Sequence, residues 1–234
     1  MLESNTPHGT DRRAIPQRSS TWAAKLADAM VAAKLTPNRV SVGSVVFAII
    51  GGLGFLCSAL VATDGARAAW LIVAAVCIPL PLLLNTLDGM LAVEKGLHTP
   101  TGDLFNEVPD RLADLVLLAT AGYATLGIWT TGSIDWGVVL GWSAAAFAIL
   151  TAYVRTLGAA NGVGNFFDGP MAKPARMWVL VIASLASLLE PLFDARGLLL
   201  AIALVVILLG SVLTVVMRLR RIAAALHARK VDTP

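Results

Sequence analysis

Charge is scarce in this chain. Asp, Glu, Lys and Arg supply 14% of its 234 residues, against about a quarter in an ordinary soluble domain. So few charges cannot cover a water-facing surface. With 57% hydrophobic residues and a mean hydropathy of +0.76, most of the chain is expected in lipid. Cysteine is nearly missing as well. Cys57 and Cys77 both lie in apolar stretches, where sulfur packs as a small hydrophobe, so neither a disulfide framework nor a thiolate zinc site is expected. The three histidines, His8, His98 and His227, are scattered, and no Ser-His-Asp or Cys-His arrangement is visible. The first 39 residues lack the basic start, apolar run and small-residue cleavage site of a signal peptide and are expected to stay attached.

What is present in quantity is apolar length. Residues 1–20 have no period and read as a flexible cytoplasmic tail. Trp22 to Leu35 carries Trp22, Leu26, Ala29, Met30 and Ala33 near helical spacing and reads as an amphipathic interfacial helix. "TPNRVS" (36–41) breaks it, and Asn38 or Ser41 is expected to cap the next helix. Six apolar runs come next: Val40–Thr63, Ala68–Leu87, Leu115–Ile134, Trp136–Val154, Met177–Leu189 (with room to extend toward Phe193) and Gly197–Met217. A helix needs roughly 20 apolar residues to span a bilayer. The expected fold is therefore all-α, a polytopic membrane protein of six transmembrane helices occupying residues 21–222, with 223–234 as a basic C-terminal tail. Pro79 and Pro81 should kink the second span.

The basic residues orient this bundle. Sixteen of the eighteen Lys and Arg fall on one side under six spans, and only Arg67 and Arg196 fall on the other. Both termini are thus expected in the cytoplasm of a cell whose inner (plasma) membrane holds the chain. The basic tail "RLRRIAAALHARK" suits either an anchor or contact with anionic headgroups.

Residues 85–114 hold six acids, Asp88, Glu94, Asp103, Glu107, Asp110 and Asp114, against Lys95 and Arg111. Acids at a membrane boundary are costly unless hydrated, paired or bound to a cation. Asn85 and Asp88 share one helix face, Asn106 and Asp110 another, and Glu107, Asp110 and Asp114 form an i, i+3, i+7 stripe. Two such helices facing each other would present carboxylate and amide oxygens only, a donor set that suits Mg2+, Mn2+ or Ca2+. Gly89 and Gly102 permit close approach beside it. A second cluster, Arg155, Lys173 and Arg176, lies on the same side and suits pyrophosphate oxygens. The intervening "GAANGVGNFFDGP" (158–170) is glycine-rich, carries no GxGxxG or Walker pattern, and reads as a lid or headgroup-admitting loop.

Residues 85–110 resemble the signature of the CDP-alcohol phosphotransferases, D-x2-D-G-x2-A-R-x8-G-x3-D-x3-D. Without a gap, its positions fall on Asn85, Asp88, Gly89, Ala92, Val93, Gly102, Asn106 and Asp110. "TPNRVS", "AYVR" (152–155) and "KPARM" (173–177) extend the similarity over about residues 22–220. Asn85, Asn106 and Val93 stand where the family has Asp, Asp and Arg. The resemblance implies divalent metal, Mg2+ or Mn2+, held by Asn85, Asp88, Asn106 and Asp110, with Glu107 the candidate to stand in for Asn106. It implies Asp110 as general base. Gly89, Ala92, Gly102, Arg155, Lys173 and Arg176 would hold the CDP-lipid, with Lys95 in place of the arginine lost at Val93. The implied reaction moves the phosphatidyl group of a CDP-linked lipid such as CDP-diacylglycerol to a small polar alcohol and releases CMP. Implied partners are that lipid, the acceptor alcohol, the bilayer and a second copy in a homodimer, with no nucleic acid. The alternatives are a degenerate member that binds CDP-lipid or a partner protein, and a small transporter. The double proline favours the transporter; the lack of ionisable residues in spans three, four and six disfavours it.

Overall fold

A computed structural model describes residues 21–93, 96 and 100–231. The expected N-terminal tail (1–20) and Lys95 lie outside the described residues. The chain begins with α1 (Thr21–Ala32), whose Ala27 is buried against Leu87, Met90 and Leu91. α2 (Pro37–Leu60) follows. Its cap is Thr36, in extended backbone, whose Oγ1 accepts from the Arg39 N–H at 3.4 Å. Pro37 then takes the first helical position, where a missing N–H costs nothing. Asn38 and Ser41, expected as caps, sit inside the first two turns instead.

α3 (Asp64–Cys77) and α4 (Pro79–Val93) form one apolar stretch broken at Ile78. The break falls where Pro79 and Pro81 cannot supply backbone donors, as the sequence led one to expect. α5 (Gly102–Tyr123) runs through the middle of the bundle between α2 and α6 (Trp136–Ala160). Glycines bring these backbones together. A Cβ on Gly52 would come within 2.7 Å of Val116, and one on Gly141 within 2.7 Å of the Gly122 Cα, the small-residue packing that membrane helices use.

The third expected run, Leu115–Ile134, is not one helix. α5 stops at Tyr123, and residues 130–135 form a small antiparallel hairpin, β1 (Thr130–Thr131) with β2 (Ile134–Asp135). Gly127 (φ 86°) and Gly132 (φ 59°) take left-handed backbone that a helix cannot continue through. The helix gains its length on the other side, where the charged residues 103–114 are helical. Asp135 then caps α6, accepting from Gly137 N at 3.0 Å and Val138 N at 3.2 Å.

α7 (Lys173–Ala186) passes into a 3-10 segment, Ser187–Phe193, so the fifth run does extend past Glu190. α8 (Leu198–Val231) is 34 residues long, about 50 Å at 1.5 Å per residue. It carries the basic segment as helix through residue 231, where a separate tail from 223 was expected. Among the described residues five helical stretches are long and apolar enough to cross a membrane: Pro37–Leu60, Asp64–Ala92, Trp136–Ala160, Lys173–Phe193 and Leu198–Arg229. α5 matches them in length, but Asp103, Glu107, Asp110, Arg111 and Asp114 keep it out of that set. Leu71, Ala74, Leu117, Leu118, Leu180 and Leu204 are fully buried in the interior, while Leu53, Ile182 and Leu209 point outward, half or more exposed. The chain alternates direction, so the starts of α2, α5 and α7 meet the ends of α4 and α6 and the middle of α8 at one end of the bundle.

Candidate active site

That end holds a cavity of about 300 Å3. Asn85 and Gly89 of α4, Asn106 and Asp110 of α5, Arg155 of α6, and Lys173 and Arg176 of α7 all line it. The structure thus gathers residues from four helices that the sequence spread over 92 positions. Ala92, Gly102 and Glu107 are not on its wall, and Asp88 lies just behind it, 4% exposed.

Four carboxylates of this end have answering partners. Ser41 of α2 donates to Asp88 Oδ2 at 2.5 Å. Lys173 Nζ lies 2.6 Å from Asp110 Oδ1. Glu107 is held between Arg111, one turn on, and Arg155 of α6. Asp114, fully buried, meets Arg176 Nη2 at 2.6 Å. The α5 stripe Glu107–Asp110–Asp114 is therefore a ladder of ion pairs to α6 and α7. Glu107 is thus occupied as a partner of two arginines. Arg176 also donates to Thr151 Oγ1 at 3.2 Å and to the Met171 carbonyl at 2.8 Å.

Four features escaped the sequence reading. Ser41 holds Asp88. Thr151 sits one turn before Arg155, a spacing that puts both on one face. Phe167 stacks under Arg155, whose guanidinium carbon is 5.3 Å from the ring centre. Arg218 of α8 lines the cavity and donates to the carbonyls of Thr151 (2.7 Å), Asp168 (2.9 Å) and Phe167 (3.1 Å). It ties the 161–172 loop to α8. The one signal for it was an arginine closing the uncharged run Gly197–Met217, a position that demands partners. On the cavity wall five cations, Arg111, Arg155, Lys173, Arg176 and Arg218, face the single carboxylate of Asp110. Such a wall suits an anionic ligand.

Asn85 tests whether these residues suit a metal. Its Oδ1 and Nδ2 are both buried without a hydrogen-bond partner, which native structures rarely tolerate. Asp88, one turn along α4, lies within electrostatic reach of Asp110 and Lys173. An unpartnered amide oxygen and two carboxylates form an oxygen-only set that fits one hard divalent cation. Among the described residues no three His, Cys, Asp or Glu side chains converge as a metal group, so a cation here would depend on the amide oxygen of Asn85 beside the two carboxylates.

The fold is that of a membrane-embedded helical bundle with a polar pocket at one end. Among solved structures it is similar to phosphatidylinositol phosphate synthase (PgsA1) of Mycobacterium tuberculosis. With CDP-DAG bound, that protein matches with a TM-score of 0.68 at 17% identity, over 87% of this chain and 94% of that one. Its complex with manganese and citrate matches with a TM-score of 0.67 at 18% identity, over 86% and 88%. Its apo form matches with a TM-score of 0.61 at 19% identity, over 84% and 93%. The likeness is one of fold. No protein-family profile matches the sequence, and no curated protein does either.

Proposed function

We propose that this chain is a CDP-alcohol phosphotransferase that moves the phosphatidyl group of a CDP-linked lipid to an alcohol and releases CMP. The observation that carries this reading is the pocket itself. It joins an oxygen pole, Asn85 with Asp88 and Asp110, to the cationic wall of Arg155, Lys173 and Arg218, in a fold shared with a structure that holds CDP-DAG. The signature-like spacing from Asn85 to Asp110 agrees with it.

Asn85, Asp88 and Asp110 would hold one divalent cation, Mg2+ or Mn2+. When bound, that cation supplies charge to offset the pyrophosphate and the developing phosphoryl charge. Asp110 accepts the proton of the acceptor hydroxyl, whose oxygen attacks the lipid-side phosphorus. The bond from that phosphorus to the CMP oxygen breaks, and CMP leaves with the electron pair. Lys173 keeps Asp110 Oδ1 fixed at 2.6 Å, which orients Oδ2 for the transfer. Arg155, braced by Glu107 and Phe167, offers its guanidinium to phosphate oxygens. Arg176 acts from behind, since its donors already hold Thr151, Met171 and Asp114. α5 serves as the third of six spans, α1 lies in the interface on the pocket side, and the pocket faces the cytoplasm, from which a polar acceptor arrives.

Radiolabel transfer from CDP-diacylglycerol by the purified chain tests this. Glycerol 3-phosphate, inositol, inositol phosphate and serine are offered as acceptors, with and without Mg2+ or Mn2+. Label should move to one acceptor in a metal-dependent way. CDP-lipid binding without transfer to any acceptor would instead favour a binding protein built on this fold.

A further inference from the structure

The opposite end of the bundle holds a second cavity, of about 570 Å3. It lies among the end of α2, the start of α3, the turn after α5 and the turn that leads into α8. Leu126, Ile128 and Leu198 give it an apolar side, and Arg67, Asp194 and Arg196 supply its charge. Its volume falls within the range of small-molecule sites.

Arg67 is the unusual member. It is 3% exposed, and its Nη2 lies 3.0 Å from Glu190 Oε2. That contact is ionic only, for Nη2 makes no hydrogen bond. Glu190 has no need of one. Its carboxylate accepts from Gly197 N at 2.6 Å, Leu199 N at 2.8 Å and Ser187 Oγ at 3.1 Å, so the amino end of α8 already holds it. A guanidinium carries five N–H donors, and among the described residues Arg67 spends none of them on an acceptor. A buried cation with unspent donors is costly, and an acceptor entering the cavity would relieve that cost. Arg196, at the rim, reaches the carbonyls of Val61 (3.0 Å) and Ala62 (3.4 Å) and the carboxylate of Asp64 (3.8 Å), all through Nη2. Its remaining donors are open to a ligand. Asp194 stands on the same wall in left-handed backbone (φ 49°).

We propose that this cavity binds a phosphate ester, its phosphate between Arg67 and Arg196 and a hydroxyl or ammonium group of its substituent toward Asp194. Paired guanidinium forks match phosphate oxygens, and the carboxylate selects an ester that carries a donor. The apolar side and the position at the rim of the bundle suit the headgroup of a phospholipid in the leaflet remote from the active site. A soluble phosphate ester shares the same chemistry.

Thermal unfolding of the detergent-purified full chain tests the site, with dioctanoyl phosphatidylglycerol, glycerol phosphate and inorganic phosphate as probes. Measurements are made in an Arg155→Ala/Lys173→Met background, which silences the other pocket. The glycerol-bearing lipid should raise the unfolding midpoint. Arg196→Ala should weaken its apparent affinity about tenfold, the value of a charge-assisted hydrogen bond. Arg67→Gln with Glu190→Gln, which keeps the charge balance, should remove the shift. An equal response to glycerol phosphate assigns a soluble ester, and a response to lipid alone assigns a headgroup. No shift with any probe overturns the site, as does a shift left unchanged by Arg196→Ala. If the double variant does not fold, Arg196→Ala decides alone. The outcome does not depend on whether the chain transfers phosphatidyl groups.

Discussion

Asp88 and Asp110 come from different helices, and in the proposed reading their environments divide the work between them. Asp88 is buried behind the cavity wall with Ser41 on one oxygen, and Asp110 stands on the wall with Lys173 on one of its own. Asp88→Asn should weaken Mn2+ binding, read by electron paramagnetic resonance, while leaving the fold intact, because an amide still accepts from Ser41. Unchanged Mn2+ affinity would remove Asp88 from the metal set. Glu107→Gln separates two roles that the sequence left joined. Because Glu107 is spent on Arg111 and Arg155, the substitution should leave Mn2+ affinity unchanged and raise KM for the CDP-lipid. A fall in Mn2+ affinity would restore Glu107 as a ligand. At this scale helical spacing made the stripe from Glu107 to Asp114 and the Asn85–Asp88 pair legible. It could not show which face met which helix. Ser41, Thr151 and Arg218 stayed hidden because each acts on residues dozens of positions away, and nothing local marks a serine or threonine as a partner.

The ladder of ion pairs ties α5 to α6 and α7 beside the pocket. Its innermost rung, Asp114 with Arg176, is buried on both sides. Removing one member of a buried pair leaves the other charge uncompensated, at about 3 kcal/mol or more, whereas an apolar replacement of both is often neutral. Arg176→Met alone should therefore lower the thermal midpoint strongly, and Asp114→Leu with Arg176→Met should recover most of it. Equal loss in the single and double variants would show that the pair contributes specific bonding rather than charge balance. Apolar runs predicted where most helices begin to within about four residues, but not where they end, since α6 and α8 continue past their apolar runs into polar sequence. The exception was informative. Hydropathy followed Leu115–Ile134 across Gly127 and Gly132, whose left-handed backbone ends the helix, and it discounted the charged turns that α5 actually uses. The i, i+3, i+7 spacing of Glu107, Asp110 and Asp114 marked those turns as helix where hydropathy alone did not.

For the molecule as a whole, the two cavities lie at opposite ends of the bundle, and the proposed topology puts them on opposite faces of a membrane. Cysteines introduced at Ser133, in the exposed hairpin, and at Arg220, on α8, test this in intact cells. A membrane-impermeant maleimide should label the first directly and the second only after permeabilisation. Labelling of Arg220→Cys alone in intact cells would invert the orientation. Inside that frame the chain shares a fold with a structure that holds CDP-DAG, two asparagines lower the charge of the proposed metal pole, and the proposed reading gives that pole one cation. Release of CMP from CDP-diacylglycerol, followed as Mn2+ is titrated into the purified chain with its acceptor, tests that most directly. We expect release to saturate at one Mn2+ per chain and to fall at least about 100-fold in Asp110→Asn, the scale of a lost general base. No CMP release at any Mn2+ concentration, or release that requires two Mn2+ per chain, would contradict the one-cation site.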